Sequence, residues 1–430
     1  MPIARSSAAA AGAEMFPVQS GPIAVLGRRD ATVTGLLALL GLSGCTPSPA
    51  PVATVPPVAP APPPPPLPFD QAVLKAANAV LSSAPAPDAT AVSSRQLVVI
   101  DPLVDGATGE QSAATQTIGA RIAELARDKY PRFDVEPFTP QAISRFPYVL
   151  LGTFTPINAA NQPGGDRDAF RFCLILADLR SGKVLARAWA RARRDGVDAT
   201  PTAFFRDSPT WTDDAQAKAY VDTCQNVKIG DPINPVYLDG ILAASIISDA
   251  TDAYAAGRYS DALDLYNSAR ATKAGNQLRV YNGLYLANWK LGRKEPAAEA
   301  FGDAVDYGLA TNRLGVKILF RPGSTALDPG STRQPYAMWI EQIASRAGQK
   351  SACLTVVGNT SKSGSATLND RLSLLRAEYI KDRLEADAPA LNGRLTAKGA
   401  GAEANLIGTG ADDASDALDR RVEFKVAPAC

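Results

Sequence analysis

The 430-residue chain contains no histidine. That excludes imidazole as a general acid or base and removes the commonest metal ligand. Cysteine is scarce: the five lie at 45, 173, 224, 353 and 430, with no Cys-x-x-Cys pair, so zinc and thioredoxin-like arrangements are not expected. Neither sign of charge is in surplus. Lys and Arg number 44 and Asp and Glu 43, for a net charge of +1. A nucleic-acid binder normally shows a basic excess, so no nucleic-acid partner is expected. A membrane-length apolar run is missing near the N-terminus, where Ala31 to Leu42 is about a dozen residues and a spanning helix needs roughly 20. Without histidine no nucleophile–base pair stands at a recognisable spacing. No enzyme, cofactor or metal is expected, although a Ser–Lys pair stays open on sequence alone.

What is present begins with Arg28 and Arg29, the short apolar run, and Leu42-Ser43-Gly44-Cys45. Positive charge, a short greasy segment and small residues make a secretory signal, not a span. The last four residues resemble the bacterial lipobox, whose cysteine is acylated and becomes the new N-terminus. The resemblance implies a fatty (palmitate-type) anchor at Cys45. Thr46, where aspartate usually retains a lipoprotein in the inner membrane, implies the outer membrane, facing the periplasm. Residues 1–45 are read as the signal, with Met1 and Met15 both open as the start. Residues 46–68 are almost all Pro, Ala, Val and Ser, with Pro62 to Pro66 unbroken. Such a tract adopts polyproline II at roughly 3 Å per residue, a linker reaching on the order of 60 Å.

Residues 69–229 alternate strand and helix patterns, which argues a mixed α/β domain. A helix-like stretch, Asp70 to Leu81, precedes the buried-strand pattern Leu97 to Ile100. Ile118, Ile122 and Leu125 share one face of a helix from about Ser112 to Tyr130. Strands follow at Phe133 to Val135, Tyr148 to Phe154 and Phe170 to Leu179. The last turns at Ser181-Gly182 into Val184 to Ala190. The strand exit at 98–105, the strand Tyr148-Val149-Leu150-Leu151-Gly152 and the run Leu176 to Val184 resemble the FlgO family of exported flagellar lipoproteins. More distantly they resemble the periplasmic domain that activates penicillin-binding proteins. Asp101, Asp105 and Glu110 cluster in sequence, but not at calcium-loop spacing; aspartates before Pro and Gly are ordinary turn formers.

Residues 237–311 repeat themselves. Ala255-Ala256-Gly257-Arg258 aligns with Lys290-Leu291-Gly292-Arg293, a shift of 35 residues that also sets Tyr266 over Phe301 and Ala269 over Ala304. The region looks like two tetratricopeptide hairpins, all-α, with glycine ending the first helix and alanines letting the second pack closely. Two repeats are fewer than usually stand alone, so packing against a neighbouring domain is expected. A groove for an unidentified protein partner and a plain spacer are both open.

Residues 312–430 carry the most specific pattern. Strands are expected at Val316 to Phe320, Leu354 to Gly358, Arg394 to Lys398 and Arg421 to Val426. Helices are expected at about Tyr336 to Arg346 and Leu368 to Ala386. Phe320, Gly323-Ser324, Leu327, Val357-Gly358, Asn369-x-x-Leu372-Ser373-x-x-Arg376-Ala377, Gly399-x-Gly401 and Arg420-Arg421-Val422-Glu423 resemble the OmpA-like peptidoglycan-anchoring domain, a βαβαββ fold. The resemblance implies a site for the diaminopimelate end of the wall's stem peptide. Its carboxylate needs an arginine fork and its ammonium an anion. The arginine maps onto Arg376. The family's Gly-x-Thr-Asp reads Gly358-Asn359-Thr360-Ser361 here, so a neutral serine replaces a charge. Asn359, Ser361 and Asn369 complete the candidate site, and Asp370 is a candidate replacement anion if helix geometry brings it to the arginine's face.

Apart from Cys45, four cysteines in an exported chain suggest disulfides. Three pairings are open, and chain proximity favours Cys173–Cys224 and Cys353–Cys430. The OmpA-like fold implies the second as well, since its last strand runs antiparallel beside its second. Two functions remain. One is a non-enzymatic outer-membrane lipoprotein that tethers the envelope to peptidoglycan and presents its middle domains to protein partners. The other is an envelope assembly or regulatory factor, flagellar, pilus or wall-synthase related, whose wall binding is weakened or lost.

Overall fold

A computed structural model describes residues 64–86, 95–145, 147–163, 167–328, 335–406, 414–427 and 430. The expected signal, Cys45 and nearly all of the proline tract lie outside the described residues. Among the described residues no helix is long and apolar enough to cross a membrane.

Five strands form the first sheet: β1 (Gln96–Ile100), β2 (Phe133–Glu136), β3 (Tyr148–Ile157), β4 (Ala169–Asp178) and β5 (Lys183–Arg193). Their order is β2-β1-β3-β4-β5. β1 is parallel to both neighbours, and β3, β4 and β5 form an antiparallel meander. Gly182, with φ 65°, makes the turn between β4 and β5. One sheet face is covered by α1 (Phe69–Ser83) and α2 (Ala113–Lys129). Helix α1 lays down a small-residue face, Ala72, Ala76 and Ala77 beside Val73, Val80 and Leu81, which permits close approach to the sheet. Helix α2 starts at a reciprocal cap: Ser112 Oγ accepts from Thr115 N and Thr115 Oγ1 from Ser112 N. The other face meets α3 (Pro140–Ile143) and α5 (Ala215–Gln225), and the structure joins Cys173 of β4 to Cys224 of α5.

Between β5 and the repeat region lies a segment for which the sequence suggested no element. It contains α4 (Ala203–Asp207) as well as α5. Phe204 and Phe205 are buried in a core shared with the repeat helices and the C-terminal domain. Asp207 accepts from Tyr254 OH at 2.8 Å, Thr210 donates to Asn282 at 2.9 Å, and Asp214 accepts Leu278 N at 2.8 Å. This stretch locks the sheet region to the helices that follow it.

Those helices are α6 (Pro235–Ala255), α7 (Tyr259–Arg270), α8 (Leu278–Lys290) and α9 (Lys294–Ala310), packed as two hairpins. Gly257 and Gly292, at φ 74° and 73°, end α6 and α8 in the left-handed conformation that glycine adopts freely. The second hairpin packs on the C-terminal domain. Phe301 stacks on Trp339 at 5.5 Å, and Trp339 donates to Tyr285 OH at 3.0 Å. Arg346 adds ion pairs to Asp306 and Glu299. The expected packing against a neighbour is therefore found.

The C-terminal domain runs β6 (Ile318–Leu319), α10 (Tyr336–Gln349), β7 (Cys353–Gly358), α11 (Ala366–Asp387), β8 (Leu395–Gly399) and β9 (Arg421–Ala427). This is the βαβαββ order, in a sheet β6-β9-β7-β8. Strand β9 is antiparallel to β7, with Cys353 opposite Ala427, and Cys353 is joined to Cys430. The first strand is shorter than the expected Val316 to Phe320. Val316 bridges instead to Thr210, and Lys317 N donates to Pro209 O, so the start of that stretch is taken up by the inter-region segment.

Candidate functional site

The site residues of the C-terminal domain lie where β7 ends and α11 begins. Two glycines bring these elements together. A Cβ on Gly358 would lie 1.8 Å from the Ser373 carbonyl oxygen, and one on Gly399, its register partner in β8, 2.6 Å from Ser373 Oγ. Only bare backbone lets α11 sit this close to the strand ends. Ser373 uses the approach: its Oγ accepts Gly401 N at 3.0 Å.

Arg376 has no exposed surface. Its Nε donates to Ser324 O at 3.0 Å, Nη1 to Asn359 O at 3.0 Å and Nη2 to Arg321 O at 2.9 Å. The guanidinium carbon stands 5.1 Å from the centre of the Phe320 ring. One arginine thus ties the loop after β6 to the loop after β7, and the motif residues Phe320, Ser324 and Asn359 converge on it. Burial, with Arg420 adding like-charge repulsion, pushes its pKa down to about 10.

The loop after β7 is held from below by Asn369, whose Nδ2 donates to Ser361 O at 3.3 Å and Ser363 O at 3.1 Å. Ser361 is buried, its Oγ 3.0 Å from Ser363 Oγ. Two buried acceptors in this loop, Asn359 Oδ1 and Thr360 Oγ1, have no partner among the described residues. Buried polar atoms are rarely left so, and each calls for a donor from water or from a ligand. Thr360 was not singled out as a site residue from the sequence, although the Gly-x-Thr pattern contained it.

Asp370 does not join this group. It is exposed, and its Oδ1 lies against Gly401, 2.4 Å from where a Cβ would stand. Six residues of helix turn through about 600°, which leaves Asp370 and Arg376 far apart around the axis. Asp370 therefore stands off the arginine's face, beside Gly401, whose carbonyl oxygen accepts Thr360 N at 2.8 Å. Of the paired arginines, Arg421 holds Glu423 of its own strand at 2.5 Å and Asp419, just before the strand, at 3.7 Å, and Arg420 Nε donates to Phe320 O.

The acidic cluster of the first region disperses. Asp101 accepts from Tyr237 OH at 2.7 Å, and burial pushes its pKa up to about 7. Asp105 caps a turn through Ala107 N and Thr108 N, and Glu110 pairs with Lys317 at 2.5 Å. Among the described residues no group of three acidic or cysteine side chains is placed to hold a metal. A cavity of about 340 Å³ opens beside Asp105, lined also by Phe154, Arg167, Phe170 and Trp211, with Lys362 and Asn405 of the C-terminal domain at its edge.

Among solved structures, the peptidoglycan-associated lipoprotein from Burkholderia pseudomallei is similar at 22% identity over 26% of this chain and 89% of that one, with a TM-score of 0.23. The C-terminal domain of Helicobacter pylori MotB is 19% identical over 26% of this chain and 86% of that one, TM-score 0.22. The cell wall anchor of the T6SS from Pseudomonas aeruginosa is 24% identical over 29% of this chain and 95% of that one, TM-score 0.22. No curated protein matches the chain. Residues 319–418, the stretch that builds the arginine-centred loop cluster, match the model of the OmpA family, so the chain carries a C-terminal OmpA-family domain.

Proposed function

We propose that the chain is a non-enzymatic envelope tether. Acylation at Cys45 holds one end in the outer membrane, facing the periplasm. The proline tract is the stalk, and the C-terminal domain grips the diaminopimelate end of a peptidoglycan stem peptide. One observation carries the reading: a buried arginine fork lies beneath a loop with two unpartnered acceptors. A guanidinium has five N–H donors. Three point at carbonyls, which leaves two for a carboxylate. Asn359 Oδ1 and Thr360 Oγ1 are suited to the ligand's ammonium. Ser361 offers a hydroxyl where the family offers a charge. Entry requires the 359–363 loop to swing away, because Arg376 is sealed.

The middle of the chain is read as a FlgO-like domain followed by a tetratricopeptide pair. With Tyr285 and Phe301 turned onto Trp339, the pair serves as a spacer more than as a groove, and a protein partner would meet the remaining surfaces. The sealing of Arg376 also favours a second reading, an assembly or regulatory factor whose wall binding has been lost. Pull-down of the full chain on purified sacculi separates the two. Retention by wild type, strengthened by Ser361→Asp and lost by Arg376→Lys in protein that circular dichroism shows still folded, supports the tether. No retention by wild type, with retention by Ser361→Asp, supports the second reading. Labelled palmitate incorporated equally by wild type and Cys45→Ser overturns the anchor.

A further inference from the structure

Helix α11 has two faces with apolar character. One is buried against the domain through Ala377, Ile380 and Leu384. The other carries Leu368, Leu375 and Tyr379, which are 59, 43 and 37% exposed, with half-buried Leu372 between them. Three of the nine large hydrophobic side chains exposed among the described residues lie on this face. Scattered single residues need no explanation, but a contiguous set marks an interaction surface.

The spacing identifies the occupant. Positions 368, 372, 375 and 379 follow the 4-3-4 rhythm of a coiled-coil seam. With Leu372 and Tyr379 as a and Leu368 and Leu375 as d, Arg371 and Glu378 both take g. In an antiparallel pair, a residues meet d residues of the mate and g residues meet g. Laying a second α11 antiparallel so that Leu372 meets Leu375 of the second copy, and Leu368 its Tyr379, sets Arg371 opposite its Glu378. The two-fold axis repeats every contact. Apolar layers and charges thus agree on one register. Both charges are exposed, and neither forms an ion pair with another described residue; Lys381 feels Glu378 only through space.

We propose that this face of α11 is a docking surface for a second copy of this chain, the two helices packing antiparallel about a two-fold axis. The inference is independent of what the C-terminal domain binds. A self-complementary patch is what a closed dimer requires. Asn369 and Arg376 take e at the edge of the seam, so the 359–363 loops that they hold would flank the paired helices.

Sedimentation equilibrium of the full chain carrying Cys45→Ser, which removes any contribution of acylation, tests this. The parent is expected to show a reversible monomer–dimer equilibrium. Leu375→Glu, burying a charge twice at the axis, weakens it about a hundredfold. Leu368→Glu does the same at the outer layer. Arg371→Glu and Glu378→Arg, each creating two like-charge contacts, weaken it about tenfold, and the double exchange restores it to within about threefold. Circular dichroism melts confirm that these exposed positions leave the fold intact. A parent that stays monomeric at the highest soluble concentration overturns the proposal. So does a dimer indifferent to both Leu→Glu changes, or a double exchange that stays folded but fails to recover. Vesicle binding by a monomeric parent, abolished by Leu375→Glu, overturns it in favour of a membrane.

Discussion

Lys317→Met tests the junction between the sheet region and the C-terminal domain. Glu110 Oε1 and Lys317 Nζ are 2.5 Å apart, with side chains 6% and 5% exposed. The same ammonium donates to Phe205 O at 3.0 Å and stands 4.3 Å from the centre of the Trp211 ring. Methionine keeps much of the stem but strands Glu110, whose pKa burial already pushes up. Breaking a buried pair from one side costs about 3–5 kcal/mol, and the Phe205 carbonyl left without its donor adds about 1–3 kcal/mol. Glu110→Leu combined with Lys317→Met removes both charges and leaves only the carbonyl and packing, a loss of about 1–3 kcal/mol. The double variant should therefore be about 3–5 kcal/mol more stable than Lys317→Met alone, and a double-mutant cycle by urea denaturation should be strongly non-additive. The deficit of Lys317→Met should also shrink as pH falls. Protonation discharges the stranded carboxyl, and a raised pKa favours the folded state on the acid side. A coupling below about 0.5 kcal/mol, or a deficit independent of pH, refutes the argument.

Asp101 binds its proton more tightly folded, with a pKa of about 7, than at the ordinary 3.8, so its contribution is present below pH 3.8 and lost as pH rises through 7. At 1.36 kcal/mol per unit that is at most about 4 kcal/mol, and Asp101→Asn should flatten the profile and raise the melting temperature at pH 8. Parallel profiles for wild type and Asp101→Asn would show that the carboxyl does not titrate in this range. Trp339→Ala removes a buried ring stacked on Phe301 and bonded to Tyr285, and should lower stability by about 3–5 kcal/mol; a loss under about 1 kcal/mol contradicts the shared core. Cys430→Ser opens a loop with a sequence separation of 77 and should cost about 4–5 kcal/mol in the entropic model, provided alkylation finds no free thiol in protein exported to an oxidising compartment.

The repeat helices were legible because Gly257 and Gly292 are local stop signals, each needing a left-handed backbone whatever the tertiary context. The βαβαββ region was legible because its period switches between 2 and 3.6 at glycine-marked turns. Helices α4 and α5 were not. Phe204 and Phe205 are adjacent, so they show no period, and their burial comes from residues far along the chain. Asp214 was a local clue: its side chain caps α5 through Gln216 N and Ala217 N. The candidate site was legible as a set of residue types but not as a state. Nothing in the order of residues shows that Arg376 spends three donors on carbonyls, two of them from a loop more than 50 residues away. For Asp370 the helical turn alone was informative, since six residues do not return to the same face.

The two disulfides set how far the chain can be stretched. Cys173–Cys224 and Cys353–Cys430 enclose sequence separations of 51 and 77. At roughly 3.4 Å per extended residue these loops withhold about 170 Å and about 260 Å of contour length from a force applied at points outside them. The 359–363 loop lies inside the second one. A load between that loop and the N-terminal end passes through the first ring, whose covalent closure holds back its length even when the hydrogen bonds around it fail, while the chain beyond the loop carries none of it. Reduction of Cys173–Cys224 would make about 170 Å available along that path at once, while reduction of Cys353–Cys430 would leave its length unchanged.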